Sequence, residues 1–430
     1  MLIMMFVLLF VFLFATVPIF ASLAGCVSVV FAIYYSDTPM ANMLAQSMVT
    51  SMDSFALMAI PFFMLVGSLM ERTGIAANLV DVAKMLVGDK PGGLGMAAIL
   101  AAMFFAAISG SGPATTAAIG GVMISSMVHQ GYDKEYSGAL IASASTIGPV
   151  IPPSIPMIMY GVTVGVSVTT MFTAGLFPGI VMGISLMVYN YFFSKKRNYR
   201  GETVSYTAKD RIKTLRNAFW ALLMPVFVLG GIYSGVCTPT ESAVVGVVYS
   251  IIVGRFAYKT LNWKLFKEAL VDSAITSATI MILFGGANTF GRLMTIGRIP
   301  QTITESILTF TESPWIIMLL VNAVLLVAGM FLDTISCIVL LAPLFAPLMI
   351  KLGYDPVFFG VIMVVNLCIG MVTPPMGGNL FVAMRISNCA FEGILKRIFP
   401  LIFVLLLALA VLLVFPSIIL FLPKMLGMMT

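Results

Sequence analysis

Residues 109–120 read "SGSGPATTAAIG" and interrupt an apolar stretch that continues on both sides of them. The first eight of these residues bring two glycines, one proline and four hydroxyl side chains. Glycine and proline are the two residue types that most disfavour a helix interior. The flanking apolar runs, 93–108 and 113–128, each have the length and composition of a short helix. The stretch therefore predicts a sharp polar break between two apolar helices.

The composition around this break indicates a membrane protein. Of the 430 residues, 60% are hydrophobic and 9% are charged, and the mean hydropathy is +1.08. Soluble domains carry about 25% charged residues, so a single water-soluble core is excluded. Because one crossing needs about 20 apolar residues, the length predicts about 10–12 crossings of a lipid bilayer. The net charge of +6 is then assigned to membrane orientation rather than to nucleic acid, which is not expected as a partner.

A basic segment, residues 194–217, indicates the orientation. It carries eight Lys or Arg residues and is predicted to be a cytoplasmic linker by the positive-inside rule. If residues 92–128 and 312–350 each form a re-entrant hairpin, 19 of the 23 basic residues fall on the cytoplasmic side. The first hairpin then opens to the cytoplasm and the second to the outside.

An internal repeat appears at an offset of 222 residues. "GYDKEYSGALIASASTIGPVIPPSI" from Gly131 aligns without gaps to "GYDPVFFGVIMVVNLCIGMVTPPMG" from Gly353. With an odd number of crossings in each half, the two copies have opposite orientation, as in many secondary transporters. The predicted fold class is an all-α polytopic membrane protein with inverted repeats, two re-entrant hairpins and two broken helices.

The predicted organisation has two repeats around the basic linker. The amphipathic stretches 75–88, 257–270 and 386–397 are expected to be arms along the membrane interface. The first repeat covers 1–193 and contains scaffold helices, an arm, hairpin 92–128 and a broken helix at 137–166. The second repeat covers 218–430 and contains scaffold helices, an arm, hairpin 312–350, a broken helix at 356–385 and a last span.

The breaks are candidate binding sites because they leave backbone groups without intrahelical partners. Carbonyl groups at half-helix C-termini, together with Ser, Thr and Asp oxygens, suit a sodium ion, and N–H groups at half-helix N-termini suit a carboxylate. Ser111 aligns with Asp333, a charge whose insertion at this depth costs about 2.5–3.5 kcal/mol. For any single break, close helix packing explains Gly, Ser and Thr equally well. Glu241 is expected to cap a helix and His129 to lie in a solvated turn.

Enzyme function is not expected. The sequence contains no Walker lysine loop, zinc-protease motif, dinucleotide fingerprint or nucleophile elbow. An intramembrane enzyme would need a catalytic pair, and Asp333 has no visible carboxylate partner at its depth. Without an ATP site, transport energy has to come from an ion gradient or from another subunit.

Four motifs in one order carry a family resemblance: "SGSGPATTAAIG", "STIGPVIPPSI", "CTPTESAVVG" and "MVTPPMGGNLFV". Together they resemble the large membrane subunit (M, DctM-like) of tripartite ATP-independent periplasmic (TRAP) transporters. The resemblance implies an elevator-type, sodium-coupled importer in the bacterial inner membrane. It also implies a small four-helix membrane subunit (Q), expected here as a separate polypeptide, and a periplasmic substrate-binding protein (P). The implied substrates are C4-dicarboxylates, 2-keto acids or sialic acids.

The resemblance also assigns roles to residues at the hairpin tips and breaks, with two or more sodium ions expected. The resemblance implies membership of the ion-transporter superfamily, and the runner-up function is a stand-alone ion-coupled carrier of that superfamily that needs no binding protein. The expected sodium-binding residues are Ser109, Gly110, Ser111, Gly148, Ile151, Asp333, Thr334, Ser336, Gly370, Thr373 and Met376. The expected substrate-binding residues are Thr115, Pro152, Pro153, Ser154 and Asn379.

Overall fold

The computed structural model describes residues 2–34, 40–199, 207–311 and 313–429, which form twenty α-helices and no strand. The helices of the first half are α1 (Leu2–Phe14), α2 (Ile19–Tyr34), α3 (Met40–Met52), α4 (Ala59–Arg72), α5 (Ile75–Val87), α6 (Gly93–Ser109), α7 (Gly112–His129), α8 (Lys134–Ala144), α9 (Ile155–Val164) and α10 (Val168–Arg197). Those of the second half are α11 (Ala208–Tyr233), α12 (Pro239–Ile252), α13 (Trp263–Ile296), α14 (Ile299–Phe310), α15 (Pro314–Phe331), α16 (Thr334–Lys351), α17 (Pro356–Gly370), α18 (Gly378–Ser387), α19 (Phe391–Val414) and α20 (Pro416–Met425).

The 222-residue offset reappears in the helix bounds. Shifted by 222, the first and last residues of α7 become those of α16. The turn after each of these helices is built alike, because Gly131 and Gly353 have φ of +85° and +86°, a region that glycine enters readily. Asp133 and Asp355 then stand at the N-caps of α8 and α17. The two halves therefore repeat the same succession of helices and turns.

Seven of the described helices are long and apolar enough to cross a membrane. The bent pair α4–α5, with an angle of 73° between its parts, counts as one further candidate. Several others, among them α6, α9 and α17, are apolar but shorter, as expected of hairpin arms and half-helices. The chain is thus a multi-pass membrane protein. Of the predicted linker, 194–197 continue α10 and 208–217 begin α11, while residues 200–206 lie outside the described part, as does Glu312.

The arms differ in part from expectation. Residues 75–88 correspond to the separate helix α5, but 257–270 run straight into α13, which begins at Trp263. Residues 386–397 form the end of α18, the turn after it and the start of α19. In the second repeat the helix equivalent to α5 is α14, a short amphipathic helix that contacts α13 and α16.

The helices pack into two groups, which we name the frame and the bundle. The frame contains α1–α4 and α11–α13, with α4 packed against α12 and α13. The bundle contains α6–α10 and α15–α20, and within it α7 packs against α18 while α16 packs against α9. We name α6–α7 hairpin 1 and α15–α16 hairpin 2. The second arm of each hairpin is therefore held by a half-helix from the other repeat.

Polar contacts join the segments that were predicted to be cytoplasmic. The Arg397 guanidinium lies 2.8 Å from the Asp133 carboxylate, and the Asp133 N–H donates to the Tyr199 hydroxyl at 3.1 Å. In the frame, Arg72 pairs with Glu268 at 2.9 Å. These pairs connect segments that the positions of the basic residues had assigned to the same side of the membrane. The structure therefore places segments with the same predicted side next to one another.

Candidate functional site

The tip of hairpin 1 depends on glycine for both its conformation and its neighbours. Helix α6 ends at Ser109, Gly110 follows with φ of +61°, and extended Ser111 is the N-cap of α7. A Cβ atom at Gly110 would lie 2.4 Å from the carbonyl oxygen of Pro153. A larger residue at this position would therefore meet both an unfavourable φ and a backbone clash with the broken helix of the same repeat.

The oxygens of this tip face the middle of the first broken helix. The Ser109 and Thr115 hydroxyl oxygens are 3.0 Å apart, and the Thr115 hydroxyl donates to the Ser111 carbonyl at 2.7 Å. A Cβ atom at Gly148 would lie 2.7 Å from that carbonyl and 2.8 Å from Thr115 Oγ1. The structure thus brings together Ser109, Ser111 and Gly148, which were expected to bind sodium, and Thr115, which was expected to bind substrate. Two hydroxyls and a carbonyl form an oxygen-rich corner.

The first helix break, residues 145–154, is closed and buried; we name it break 1. Ser154 is fully buried, and its hydroxyl caps α9 by accepting from the Met157 N–H at 3.2 Å and donating to the Pro149 carbonyl. Ile151 is also buried, with its side chain against Gly179 of α10. Pro152 and Pro153 are buried and joined by a cis peptide bond. The Ser154 hydroxyl is therefore engaged within the chain, and Ile151 and the two prolines have only backbone carbonyls to offer a ligand.

At the tip of hairpin 2, Asp333 is both a charge and a helix cap. Its carboxylate accepts from the Ser336 N–H at 3.1 Å and from the Ser336 hydroxyl. Asp333 is exposed, whereas Thr334 and Ser336 behind it are buried. The sequence analysis identified the charge but missed the capping role, although the pattern Asp-x-x-Ser before an apolar run is compatible with one.

The second helix break, residues 371–377, is more open; we name it break 2. Met376 is 55% exposed, and the Thr373 hydroxyl donates to the Ile369 carbonyl at 2.8 Å. Gly370 packs on hairpin 2, because a Cβ atom there would lie 2.6–2.8 Å from the backbone of Gly329. This close contact joins the end of α17, just before break 2, to a point of hairpin 2 four residues before Asp333.

Asn379 belongs to the second repeat but lies at the site of the first. It is fully buried in the first turn of α18. A Cβ atom at Gly112, on the tip of hairpin 1, would lie 2.8 Å from Asn379 Oδ1, and Asn379 Nδ2 donates to the Ala142 carbonyl at 3.4 Å. Asn379 was expected from the resemblance to bind substrate, and its position beside the first repeat was not predicted.

A cavity of about 480 Å³ lies beside the tip of hairpin 1 and is lined by the tip and by the frame helices α4 and α13. Its walls include Ser109 and Ser111 from the tip and Glu71, Arg72 and Asp272 from α4 and α13. Sequence reasoning missed these charged residues as part of the site. The signal was present, since each stands near the end of an apolar run of the frame. The cavity is large enough for a small organic anion and its walls are partly polar.

Of two residues set aside in the sequence analysis, Glu241 caps a helix as expected, whereas His129 is exposed but ends a helix rather than lying in the turn after it. Glu241 and Thr238 form a reciprocal capping box at the start of α12: the Glu241 carboxylate accepts from the Thr238 N–H at 2.8 Å, and the Thr238 hydroxyl accepts from the Glu241 N–H at 3.3 Å. His129 is exposed at the last residue of α7.

Comparison with known proteins agrees with the motifs. A family model described as "Tripartite ATP-independent periplasmic transporter, DctM component" matches residues 6–418. The sialic acid TRAP transporter large permease SiaM of Vibrio cholerae is 38% identical over 413 residues, with 96% of each chain covered. The C4-dicarboxylate permease DctM of Pseudomonas aeruginosa is 38% identical, with 90% of each chain covered.

A longer relative and a solved structure complete the comparison. The isethionate TRAP transporter permease DctMQ of Oleidesulfovibrio alaskensis is 44% identical over 375 residues. The match covers 87% of this chain and 59% of that protein, so the chain corresponds to a part of the relative. The crystal structure of the YdaH transporter of Alcanivorax borkumensis superimposes with a TM-score of 0.66 at 13% identity, covering 93% of this chain and 96% of that one. It shows a shared fold alone.

The match to one family model over nearly the whole chain and the relatives at 38–44% identity agree with the hairpins, breaks and repeat of the structure. They identify a transport protein and not an enzyme, and the chain belongs to the family of DctM components, the large permease subunits of tripartite ATP-independent periplasmic transporters.

Proposed function

We propose that this chain carries a small organic anion into a bacterial cell together with sodium, by an elevator movement of the bundle against the frame. The membrane is the bacterial cytoplasmic, or inner, membrane. The relatives are named for sialic acid, C4-dicarboxylates and isethionate, all of which are organic acids. A C4-dicarboxylate, a 2-keto acid or a sialic acid therefore remains the substrate class that we propose.

The observation that carries the elevator mechanism is a difference in height between the two hairpins. In the first repeat, the tip residue Ser109 faces Gly67 of α4, where a Cβ atom would lie 3.5 Å from Ser109 Cα. In the second repeat, Gly291 of α13 faces Pro343, with a distance of 3.8 Å from a Cβ atom to Pro343 Cγ. Pro343 comes ten residues after Asp333. At 1.5 Å per residue, the tip of hairpin 2 therefore lies about 15 Å beyond the level of Gly291.

The two frame glycines occupy equivalent positions in the two repeats. "GSLM" from Gly67 matches "GRLM" from Gly291. The short amphipathic helices α5 and α14 begin eight residues after these glycines, at Ile75 and Ile299. The two hairpins are therefore compared against the same point of the frame, and they meet it at different heights.

This asymmetry predicts a second state. In inverted-repeat transporters the two halves exchange conformations as access alternates. In the hairpins, where the offset is 222, Gly121 is the equivalent of Pro343 and Phe331 that of Ser109. In the exchanged state Gly67 therefore faces Gly121, and Gly291 faces Phe331.

The direction of access follows from the position of hairpin 1. In the present state its tip lies beside the cavity that contains Arg72. Arg72 ends α4 in the segment assigned to the cytoplasm. We therefore propose that the present state is inward-facing and that the exchanged state is outward-facing.

Cysteine cross-linking tests the movement. In a variant without native cysteines, Gly67→Cys with Gly121→Cys is expected to cross-link when the outward state is populated and to stop uptake once linked. A Cβ atom has nothing within 4 Å at Gly121 and only ordinary contacts at Gly67, so both substitutions fit the present state. A 67–121 pair that never links under any substrate or sodium condition contradicts the elevator movement.

The control pair is Gly120→Cys with Ile386→Cys. Both residues lie in the bundle, and a Cβ atom at Gly120 is 3.3 Å from Ile386 Cδ1. Because the two residues move together, that pair should link in both states.

Sodium coupling is supported by the chemistry of the tips. Hydroxyl and carbonyl oxygens at Ser109, Ser111 and Thr115, and the carboxylate of Asp333, are the hard ligands that such a cation prefers in broken-helix transporters. Two or more ions are proposed, at least one at each tip, with the anion between them. Uptake driven by an imposed sodium gradient, compared with potassium of equal concentration, tests the coupling.

The partners proposed are a small four-helix membrane subunit (Q) and a periplasmic substrate-binding protein (P). The support is the family itself and the name DctMQ of the longer relative, whose additional length leaves room for a second subunit. A stand-alone carrier is not favoured, because the relatives are named as permeases of TRAP transporters.

A further inference from the structure

We propose that Asn379 couples the two halves of the transport site: its amide oxygen is a ligand of the cation bound at the tip of hairpin 1, while its backbone closes break 2. The sodium coupling proposed above is the premise of this inference. The observation behind it is one buried amide that touches both regions and leaves one atom free.

The position of Asn379 is set by three contacts. Its backbone N–H donates to the Met371 carbonyl at 3.2 Å, across break 2. Its side-chain Nδ2 donates to the Ala142 carbonyl of α8 at 3.4 Å, just before break 1. Its Oδ1 lies where a Cβ atom of Gly112 would be 2.8 Å away, at the tip of hairpin 1. A single residue thus spans the helix breaks of both repeats.

The free atom is an acceptor. Asn379 is fully buried, and its Oδ1 accepts no hydrogen bond from the described residues. A buried polar atom without a partner is costly, and in native proteins such an atom usually serves a water, an ion or a function. The same Cβ atom at Gly112 would lie 3.3 Å from the Ser145 carbonyl, which accepts from the Gly148 N–H at 3.1 Å and keeps a second lone pair. Two acceptor oxygens favour a cation over the carboxylate of a substrate.

The coupling follows from the short stretch of chain between Asn379 and break 2. Asn379 is the second residue of α18 and follows break 2 directly. When a cation at hairpin 1 draws Oδ1 toward it, the first turn of α18 and its bond to Met371 are held in place. Occupation of the first site therefore orders break 2, and by thermodynamic reciprocity an ordered break 2 strengthens binding at the first site.

The test uses Asn379→Leu, which has the same branching without the polar atoms. Thermal stability of the purified membrane complex and initial uptake rates are both measured over a series of sodium concentrations. We expect the melting temperature without sodium to be unchanged or higher, since an unpaired acceptor has been removed. We expect the half-saturating sodium concentration to rise at least about fivefold and the Hill coefficient to fall toward 1. Asn379→Ala is the second variant should the leucine be too large for the site.

The matched control is Asn190→Leu. Asn190 is a buried asparagine of α10 whose amide is satisfied at both ends: its Nδ2 donates to the Gly92 carbonyl at 2.9 Å and its Oδ1 accepts from the Tyr136 hydroxyl at 3.0 Å. Its loss should lower the melting temperature and leave the sodium response unchanged. Sodium-dependent uptake with an unaltered sodium response in Asn379→Leu and Asn379→Ala overturns the role of Asn379 alone. An unsubstituted complex that shows no response to sodium in either measurement overturns the sodium coupling and this inference together.

Discussion

The carboxylate of Asp333 caps α16 while it places a negative charge at the tip of hairpin 2. These two roles can be separated, because asparagine is as good an N-cap as aspartate but carries no charge. We expect Asp333→Asn to be inserted and purified like the unsubstituted protein and to lose sodium-driven uptake, since a hard cation loses its anionic ligand. Uptake in proteoliposomes across a sodium series is the measurement.

Asp355 offers the control for this prediction. It stands 222 residues after Asp133 and caps α17, accepting from the Val357 N–H at 2.8 Å and the Phe358 N–H at 3.1 Å, away from both tips. Asp355→Asn should transport normally. If Asp333→Asn retains an unchanged sodium dependence, Asp333 is a cap and not a sodium ligand.

Gly110 provides a second test at the scale of one residue. Gly110→Ala places a methyl group 2.4 Å from the Pro153 carbonyl at a φ of +61°, so the tip has to move away from break 1 and uptake should be lost. Gly131→Ala has the same φ problem at +85° but meets no atom within 4 Å. It should cost about 1–2 kcal/mol of stability and leave uptake intact. Equal uptake by the two variants would show that the close approach at Pro153 is not needed for transport.

Some site residues could be predicted from sequence and others could not. The hydroxyls of 109–116 and the charge of Asp333 are visible as polar residues within apolar runs. Ser154 was expected to bind substrate, and in the structure its hydroxyl caps α9. A serine just before a helix that starts with proline can cap the helix or contact a ligand, so the sequence alone does not distinguish these two roles. The placement of Asn379 depends on packing between repeats, and spacing along the chain contains no information on it.

At the scale of helices, the apolar runs predicted most elements closely. The run 335–350 became α16, Thr334–Lys351, and 113–128 became α7, Gly112–His129. Helices α3 and α14 were missed because they are less apolar and carry Gln46 or Glu305 within them. A search for apolar runs finds strongly apolar helices. Helices α3 and α14 are less apolar, and they can be recognised only by comparing the helix order of the two repeats.

The contact between α15 and α17 leads to a prediction at this scale. Gly329 and Gly370 let the two backbones meet, and a Cβ atom at Gly370 would lie 2.6 Å from the Gly329 carbonyl carbon. Small residues allow such close approach of membrane helices. Gly370→Ala should therefore push hairpin 2 away from the broken helix, lower the melting temperature and reduce uptake severalfold.

A glycine of the same region serves as the comparison. Gly378, at the start of α18, has Met371 Cε at 3.7 Å as the nearest atom to an added Cβ, which is ordinary contact. Gly378→Ala should have little effect in the same thermal and uptake assays. Normal uptake by Gly370→Ala would mean that hairpin 2 and α17 need not stay in contact during transport.

For the molecule as a whole, the side of the membrane on which each segment lies was predicted from charge placement, and it stays a prediction. The basic residues placed five segments in the cytoplasm, and contacts such as Arg397 with Asp133 join those segments in the structure. The division into frame and bundle was less accessible. In a membrane the helix faces that meet lipid and those that meet other helices are both apolar, so the sequence shows that helices cross but not which of them move together.

The tripartite assembly can be tested by reconstitution. We expect no substantial uptake from this chain alone, a low rate with the small subunit, and sodium-driven uptake once the binding protein is added with its ligand. The physical reason is that the frame has to stay fixed while the bundle moves, and α1, α2, α11 and α12 have exposed apolar faces that a second membrane subunit can brace. Strong uptake by this chain alone would support the stand-alone carrier instead.

The packing of α7 against α18 also has a consequence for biosynthesis. Hairpin 1 leaves the ribosome more than 250 residues before α18 does, an interval of roughly 13–50 s at usual rates of synthesis. Throughout this time, the polar tip at Ser109–Gly112 has been synthesised but has no Asn379 beside it. The nascent first half has only break 1 of its own repeat to shelter that tip, so the translocation machinery has to tolerate an unfinished hairpin until the second half arrives.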